Sequence, residues 1–231
     1  SLFGNWDGSN TGDLIGFDTN DRLNVYFGTA NASTITTQTF GADEWYHIVV
    51  AHDTDPASQT PNQQIFVNGE LVTAFDETAV PADGATSAFV NTTSSVFIGR
   101  ERSGVSPDLG ADLADFHVVD GQALGAESFG NSVDGAWYPS DFTGDHGANG
   151  FHLDGSDSGN PGHDASGNGN DLTASGVDIV AGPQAIANSL VVHDVTGAAV
   201  TVSGEIYQGT AADVSDGIHG TEFWWDIRQD Q

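Results

Sequence analysis

The sequence predicts an all-β fold, an antiparallel β-sandwich with a β-rich C-terminal extension, from three observations. Short runs of alternating apolar and polar residues recur along the chain, whereas helix-period segments are nearly absent. The 231 residues include 30 glycines, and Asn, Asp, Ser and Thr are frequent between the alternating runs, as in proteins whose short strands are joined by turns. A hydrophobic fraction of 38% is sufficient for one large sandwich core.

The first predicted elements form a hairpin. Residues 14–17 and 23–27 both alternate, and the polar residues 18–21 between them favour a turn. Residues 33–40 follow as a third strand, rich in threonine. Residues 45–51 are apolar enough to be a central strand of the sandwich.

The pair Asn68-Gly69 is the strongest local turn signal in the chain. It separates the apolar residues 65–67 from residues 71–72, which predicts a two-residue hairpin. The predicted loops are residues 53–62, 81–86 and 130–150. The last of these is rich in Gly, Asp and Ser, so we expect it to wrap the outside with few strands. The remaining predicted strands are residues 95–100, 113–119, 151–153, 190–195, 199–202 and 221–228.

Several segments share their pattern and their order with one group of proteins. They read WYHIVV at residues 45–50, QIFVNG at 64–69, FIGR at 97–100, DFHVVDGQAL at 115–124, FG at 129–130 and FHLDGSDSGNPGHDASGNGNDLTASGV at 151–177. Together they resemble the laminin-G-like, concanavalin A-like domain of virion proteins from marine and other environmental phages. The resemblance implies a concanavalin A-like jelly roll over residues 1–182. Residues 183–231 lie outside the resemblance and are predicted to form a C-terminal β segment that completes the sandwich or contacts a neighbouring subunit.

The beginning of the chain departs from that resemblance. The phage proteins open with one more strand, which this sequence lacks, and a sandwich without it would expose an apolar edge. Residues 221–228 have a similar pattern of aromatic residues ending in arginine. We hypothesise that they fill the vacancy, either in the same chain or in a neighbouring subunit. The alternative is a core strand of a small separate subdomain.

Charge excludes one class of partner. The chain has 33 acidic residues, four arginines and no lysine, for a formal net charge of −29. Such a surface repels phosphates, so nucleic acid is not an expected partner. The excess of aspartate is typical of proteins that work in concentrated salt, where carboxylate repulsion is screened. The alternative is an acidic protein from ordinary seawater whose carboxylates bind calcium.

Other global features of the sequence bear on membrane association, disulfide bonding and processing of the chain. No run of 18 apolar residues predicts a membrane span, and no leader is visible at the start of the sequence. The absence of cysteine excludes a disulfide framework. The absence of methionine, including at position 1, is expected of a processed chain or a fragment.

One loop has the pattern of a calcium site. The segment from Asp164 to Asp171 places oxygen-bearing side chains at alternate positions, with a glycine at its sixth position. The predicted metal ligands are Asp164, Ser166, Asn168 and Asp171, and calcium is the expected cofactor. The alternative is a turn in which Asp164 accepts hydrogen bonds from backbone amides. A weaker candidate is the acidic loop that contains Asn5, Asp7 and Asp13.

Catalytic patterns are absent from the sequence. Retaining glycosidases of this kind of fold use paired carboxylates on one strand face, but only seven glutamates are present and no Glu-x-Asp-x-Glu spacing occurs. The nearest set is Asp108, Asp112 and Asp115, of which the last two should face opposite sides of a strand. We therefore predict that the protein is not an enzyme.

Histidines give a second, weaker metal hypothesis. His146, His152 and His163 are clustered in sequence, and zinc would require them to converge with an acidic residue such as Asp145 or Asp164. Surface or core histidines are the preferred interpretation because flexible glycine-rich loops separate the three.

The resemblance implies a virion surface protein such as a fibre, a spike or a capsid decoration, with the virion surface as its location. Its expected partners are other virion proteins or further copies of itself, together with host-surface polysaccharide. The alternative is a secreted or cell-surface carbohydrate-binding or adhesion module of a halophilic microbe. The candidate sugar platforms are Trp6, Trp137, Tyr138 and Tyr207, although each is more readily explained as a packed residue.

Overall fold

The structure, a computed structural model, describes residues 2–5, 12–28, 31–42, 44–59, 61–85, 87, 95–100 and 110–175, and beyond residue 176 the backbone of four further strands. The described chain is almost entirely β, and its only helical piece is a single 3₁₀ turn, Ala126–Ser128. The predicted fold class is confirmed. No helix of the described residues has the length and apolar character needed to cross a membrane.

Eighteen strands are described. They are β1 (Phe3–Gly4), β2 (Asp13–Phe17), β3 (Arg22–Phe27), β4 (Ala32–Thr39), β5 (Trp45–Asp53), β6 (Gln63–Val67), β7 (Glu70–Leu71), β8 (Phe75–Thr78), β9 (Ser95–Ile98), β10 (Ala111–Asp120), β11 (Gly130–Val133), β12 (Ala136–Pro139), β13 (Phe151–Leu153), β14 (Thr173–Ala174), β15 (Val177–Ala181), β16 (Ala198–Val202), β17 (Tyr207–Thr210) and β18 (Ile218–Asp226).

Two large antiparallel sheets form the sandwich. The first has the strand order β14-β17-β9-β1-β2-β3-β4-β8. The second has the order β15-β16-β10-β18-β5-β6-β7, and the short strand β13 also pairs with β10. Strands that are distant in sequence are neighbours in both sheets, as expected of a jelly roll.

Local turn chemistry positions the hairpins as predicted. In the β2–β3 turn, Asp18 Oδ1 accepts hydrogen bonds from the backbone amides of Asn20 at 2.8 Å and Arg22 at 3.1 Å. In the β6–β7 turn, Asn68 and Gly69 have φ values of 49° and 82°, which a two-residue turn of this type requires. A Cβ atom at position 69 would lie 2.2 Å from the Trp137 ring, so glycine is also required sterically.

The main core lies between the two sheets. Alternate residues of the strands point into it, which is why Phe116 and Val118 are buried there and His117 between them is on the other face. Aromatic rings meet edge to face, as in Phe3 against Phe116 with centroids 5.6 Å apart. Other members of this core include Leu2, Ile15, Leu23, Val25, Ile48, Val50, Ile65, Ile98, Leu113, Phe151 and Leu153.

The outer face of the second sheet is covered by residues 121–150, named here the strap. A second apolar cluster beneath it joins Val49 and Val119 of the sheet to Ala126 and Phe129 of the strap. The strap contains the hairpin β11–β12, whose turn Asp134-Gly135 has φ values of 53° and 83°. The strap does wrap the outside, but the prediction of few strands there missed this hairpin.

Strand β18 lies inside the second sheet. It pairs with β5 along all nine residues, from Ile218 opposite Asp53 to Asp226 opposite Trp45, and it pairs with β10 on its other side. The division of the chain after residue 182 stays a prediction. The predicted strand at residues 190–195 lies outside the described residues.

Candidate functional site

Three histidines converge on the outer face of the second sheet. His117 of β10 and His152 of β13 are directly opposite each other in the strand register. Their sequence neighbours Phe116 and Phe151 point into the sandwich core, so alternation places both imidazoles on the opposite face. The two rings are stacked with centroids 3.8 Å apart and an interplanar angle of 16°.

A β-bulge adds a carboxylate to this pair. The pairing of β10 with β18 shifts between Ala114 and His117, and Asp115 within the bulge has a φ of 51°. Asp115 Oδ1 lies 2.6 Å from His152 Nε2 and 3.3 Å from His117 Nε2. The expectation that Asp112 and Asp115 face opposite sides is therefore wrong. Leu113 before the bulge and Phe116 after it both face the core, so the bulge interrupts the alternation and leaves Asp112 and Asp115 on the same outer face. Asp108 lies outside the described residues.

The strap contributes the third histidine. His146 Nε2 lies 2.9 Å from His117 Nδ1, and its backbone carbonyl accepts a hydrogen bond of 2.8 Å from the amide of Asp120. A Cβ atom at Gly150 would lie 1.8 Å from that same carbonyl oxygen, so only glycine permits this approach. One ligand atom from each of His117, His146 and His152 lies within 4.8 Å of the other two.

Burial and mutual proximity set the charge of this group. Burial lowers the pKa of His117 and lowers the pKa of His146 to about 4, and the neighbouring imidazoles add to the effect at His146. Burial alone would raise the pKa of Asp115, but its interactions with His117 and His152 outweigh that effect and lower it. The cluster thus combines neutral imidazoles at His117 and His146 with an ionised carboxylate.

The cluster has an apolar side and an open side. Phe129 and Phe142 of the strap pack on it, with Phe142 5.0 Å from the His146 ring and 6.1 Å from the His117 ring. The side chains of His152 and Asp115 remain 20% and 22% exposed, whereas that of His117 is 1% exposed. A small ion or molecule can therefore reach the group from the side of His152 and Asp115.

The predicted zinc partners are only partly brought together. His146 and His152 meet, but His163 lies apart and its Nδ1 is 3.3 Å from Asp171 Oδ1. Their carboxylate partner is Asp115 rather than Asp145 or Asp164. The missed signal was the DFH sequence on β10, since Asp115 and His117 are two residues apart and therefore lie on the same face of a strand.

The predicted calcium loop has a dense network of internal hydrogen bonds. Asp164 Oδ1 accepts bonds of 2.9 Å from the amides of His152 and Ser166, and Oδ2 accepts one of 2.9 Å from Asn170. These bonds outweigh burial, which would raise the pKa of Asp164, and hold it below the usual value. Of the other predicted ligands, Asp171 Oδ1 accepts from the Asp164 amide at 2.8 Å, Ser166 Oγ accepts from the Asn168 amide at 3.3 Å and Asn168 Nδ2 donates to Gly147 O and Gly150 O.

The second acidic loop is also tied internally. Asn5 Oδ1 accepts a bond of 2.9 Å from the Asp13 amide. The Asp13 carboxylate accepts from the Gly28 amide at 3.1 Å and from Ser87 Oγ at 2.9 Å. Asp7 lies outside the described residues.

The described candidate sugar platforms do not form one surface. Trp137 is packed against the sheet, where its Nε1 donates a bond of 2.8 Å to His47 Nδ1. Tyr138 is half-buried on the neighbouring position of β12. Trp6 and the side chain of Tyr207 lie outside what the structure describes.

A groove opens where the edges of the two sheets meet, between β4 and β8 on one side and β6 and β7 on the other. The groove is open to solvent and its cavity volume is about 160 Å³, which is less than the volume of a typical drug-sized ligand pocket (about 300–1,000 Å³). The amide atoms of Gln63 are shielded from solvent and have no hydrogen-bond partner among the described residues. The residues lining the groove are Thr34, Pro61, Gln63, Gln64, Ile65, Leu71, Val72, Phe75, Thr78 and Val80.

A family model described as the concanavalin A-like lectin/glucanases superfamily matches residues 1–128, more than half of the chain. The chain belongs to this superfamily. The match extends from β1 through most of the sandwich to the 3₁₀ turn of the strap. Comparisons with curated proteins and with solved structures gave no match. Membership of the superfamily is consistent with a role in carbohydrate binding.

Proposed function

We propose that this superfamily member is a non-enzymatic carbohydrate-binding protein, and that the edge groove is its sugar site. The observation that carries the proposal is the Gln63 amide beneath an apolar groove, without a hydrogen-bond partner among the described residues. A buried amide without a partner costs about 1–3 kcal/mol. A ligand that supplies hydroxyl groups recovers that cost once the amide turns toward it.

The lining of the groove suits a sugar. Phe75 offers a half-buried ring. Leu71 and Val80 are large hydrophobic residues whose exposed fractions are 47% and 51%. Thr78 and Gln64 add polar groups at the same groove. An apolar wall with a few convergent polar groups is the usual composition of a small-ligand site. With a net charge of −29, the protein is expected to prefer neutral over anionic glycans.

The proposed setting is the virion surface, as a fibre, spike or capsid decoration that contacts host-surface polysaccharide. The motifs at residues 115–124 and 151–177 support this setting by their resemblance to phage virion proteins. A fixed stoichiometry with a capsid or tail protein in purified particles is the expected result. Recovery from the medium or cell surface of a halophilic microbe, without particles, would favour the secreted module instead.

Replacing Gln63 by methionine tests the groove. Gln63→Met keeps the length of the side chain and removes the amide, so the melting temperature should stay equal or rise. Binding to microbial polysaccharides, measured on a glycan array and by calorimetry in molar NaCl, should weaken about tenfold, because roughly 1.4 kcal/mol of hydrogen bonding is lost. Gln122→Met, on the strap at the opposite face of the second sheet, is the matched control and should bind like the unmodified protein.

Three results would contradict the proposal. Equal sugar affinity of Gln63→Met and the unmodified protein would place the sugar elsewhere, and a blank array for the unmodified protein would remove the binding function. Release of reducing sugar in proportion to added protein would make the protein an enzyme.

A further inference from the structure

We propose that Asp115, His117, His146 and His152 form a binding site for a zinc-class transition-metal cation. This site is on the outer face of the second sheet, and the argument for it does not depend on the edge groove or on sugar binding.

The ligand types and their spacing fit such a cation. Three imidazole nitrogens and one carboxylate oxygen form a four-ligand set of the kind that binds zinc, with metal–ligand distances of about 2.0–2.2 Å. Ligand atoms around a tetrahedral ion are then about 3.3 Å apart. In this cluster His117 Nδ1 lies 2.9 Å from His146 Nε2, His117 Nε2 lies 3.3 Å from Asp115 Oδ1, and His152 Nε2 lies 2.6 Å from Asp115 Oδ1. The two His117 distances start from different ring nitrogens, and a single ion can bind only one of these nitrogens. One ligand atom from each of the three histidines nevertheless lies within 4.8 Å of the other two, so the proposed site requires side-chain rotations rather than backbone movement.

The backbone fixes the positions of the proposed ligand residues before any ion binds. Two of them are fixed by the antiparallel register of β10 and β13, and the bulge fixes a third. His146 is held by the bond from the Asp120 amide to its carbonyl and by the close approach of Gly150. A preformed frame reduces the ordering cost of metal binding.

The surroundings also favour a cation. The side chain of His117 is only 1% exposed, and the Asp115 carboxylate beside His117 and His152 places a carboxylate oxygen at the cluster. Phe129 and Phe142 keep water from one side of the cluster. The partial exposure of His152 and Asp115 leaves an entry path on the other side.

One ring must move for all three histidines to bind the same ion. A ligating imidazole has the metal in its ring plane, but the rings of His117 and His152 are nearly parallel with centroids 3.8 Å apart. His117 is fixed between its neighbours at 1% side-chain exposure, whereas His152 is 20% exposed. We therefore assign the tilt on metal binding to the His152 ring.

Zinc titration of the untagged full chain, stripped of metal, tests the site. Calorimetry in molar NaCl with millimolar calcium present keeps surface carboxylates from dominating the signal. The expected result is one equivalent of bound Zn²⁺, with affinity at least tenfold weaker in His146→Gln and in His152→Gln. His163→Gln removes a nearby histidine that is outside the cluster, and it should bind zinc like the unmodified protein.

A measurement on the unmodified protein keeps the test decisive where a variant fails to fold. Nitrogen chemical shifts of the imidazoles should change at His117, His146 and His152 when zinc is added, and should stay constant at His163. No zinc binding by the unmodified protein, unchanged binding in both cluster variants, or shifts confined to other histidines would each overturn the proposal.

Discussion

A single hydrogen bond fixes the state of one buried histidine. His47 is 0% exposed, and its Nδ1 accepts the indole N–H of Trp137 at 2.8 Å while the two rings are stacked. Because an indole can only donate, Nδ1 must carry a lone pair in this arrangement. Burial lowers the pKa of His47 to about 3, and the nearby Asp115 only partly offsets that effect. The strap is thus anchored to the sheet by a histidine that must remain neutral.

This histidine predicts a loss of stability in mild acid. The unfolded chain binds a proton at His47 below about pH 6.5 and the folded chain does so only near pH 3, so stability is fully present above the first value and falls through the window between them. Lowering the pH from 7 to 5 should therefore reduce the free energy of unfolding by about 2 kcal/mol through His47 alone.

Denaturant unfolding of the unmodified protein and of His47→Gln at several pH values measures this contribution. Glutamine retains an acceptor for Trp137 but does not titrate, so the difference in unfolding free energy between the two proteins should shrink by about 2 kcal/mol toward pH 5. Parallel pH profiles for the two proteins would show that His47 is not kept neutral by folding.

At the scale of elements, the sequence was informative where structure is local. The β6–β7 hairpin follows from Asn68-Gly69 because two adjacent residues supply both positive φ values. The Asp134-Gly135 turn has the same chemistry and could have been predicted, but the short strands around it lie in a polar, glycine-rich tract. The histidine cluster could not be predicted in the same way. It depends on the register of β10 with β13 and on a bulge at Asp115, and neither is encoded by neighbouring residues alone.

The Asp164 loop gives a prediction at this scale. Asp164→Ala removes the acceptor of three backbone amides at a side chain that is 3% exposed, so it should destabilise the protein by about 1–3 kcal/mol even in chelator. Asp157→Ala is the matched control, since Asp157 accepts from the Gly159 and Asn160 amides in an exposed turn where water can replace it. Its effect should be smaller.

Calcium titration of the same proteins tests the metal ligands predicted from sequence. Binding to the folded state should raise stability by mass action, about 2.7 kcal/mol at a calcium concentration 100 times the dissociation constant. The calcium-dependent part should vanish in Asp164→Ala and Asp171→Ala. A melting temperature of the unmodified protein that does not respond to calcium would leave the turn as the only role of this loop.

At the scale of the whole molecule, cationic side chains are too few to balance the surface. Of the four lysine and arginine side chains of the sequence, which are all arginine, Arg22 pairs with two carboxylates. It donates to Asp18 Oδ2 at 2.8 Å and contacts Asp76 of the edge strand β8. Several other acidic side chains of the described residues bond to backbone amides, as at Asp53, Asp145 and Asp154, and such bonds leave their charge in place. The fold therefore carries its carboxylates within a single sandwich without matching cations, and solvent ions must screen them.

Salt dependence is the prediction that follows from this charge. The Debye length shrinks from about 30 Å at 0.01 M salt to about 3 Å at 1 M, so repulsion among the carboxylates should decline and the melting temperature should rise over that range. Parallel series in NaCl and KCl provide the control, because screening depends on ionic strength and the two curves should coincide. A difference between the two salts would indicate specific cation binding instead. A melting temperature that is flat or falls from millimolar to molar salt would reject the halophilic interpretation and favour an acidic protein of ordinary seawater.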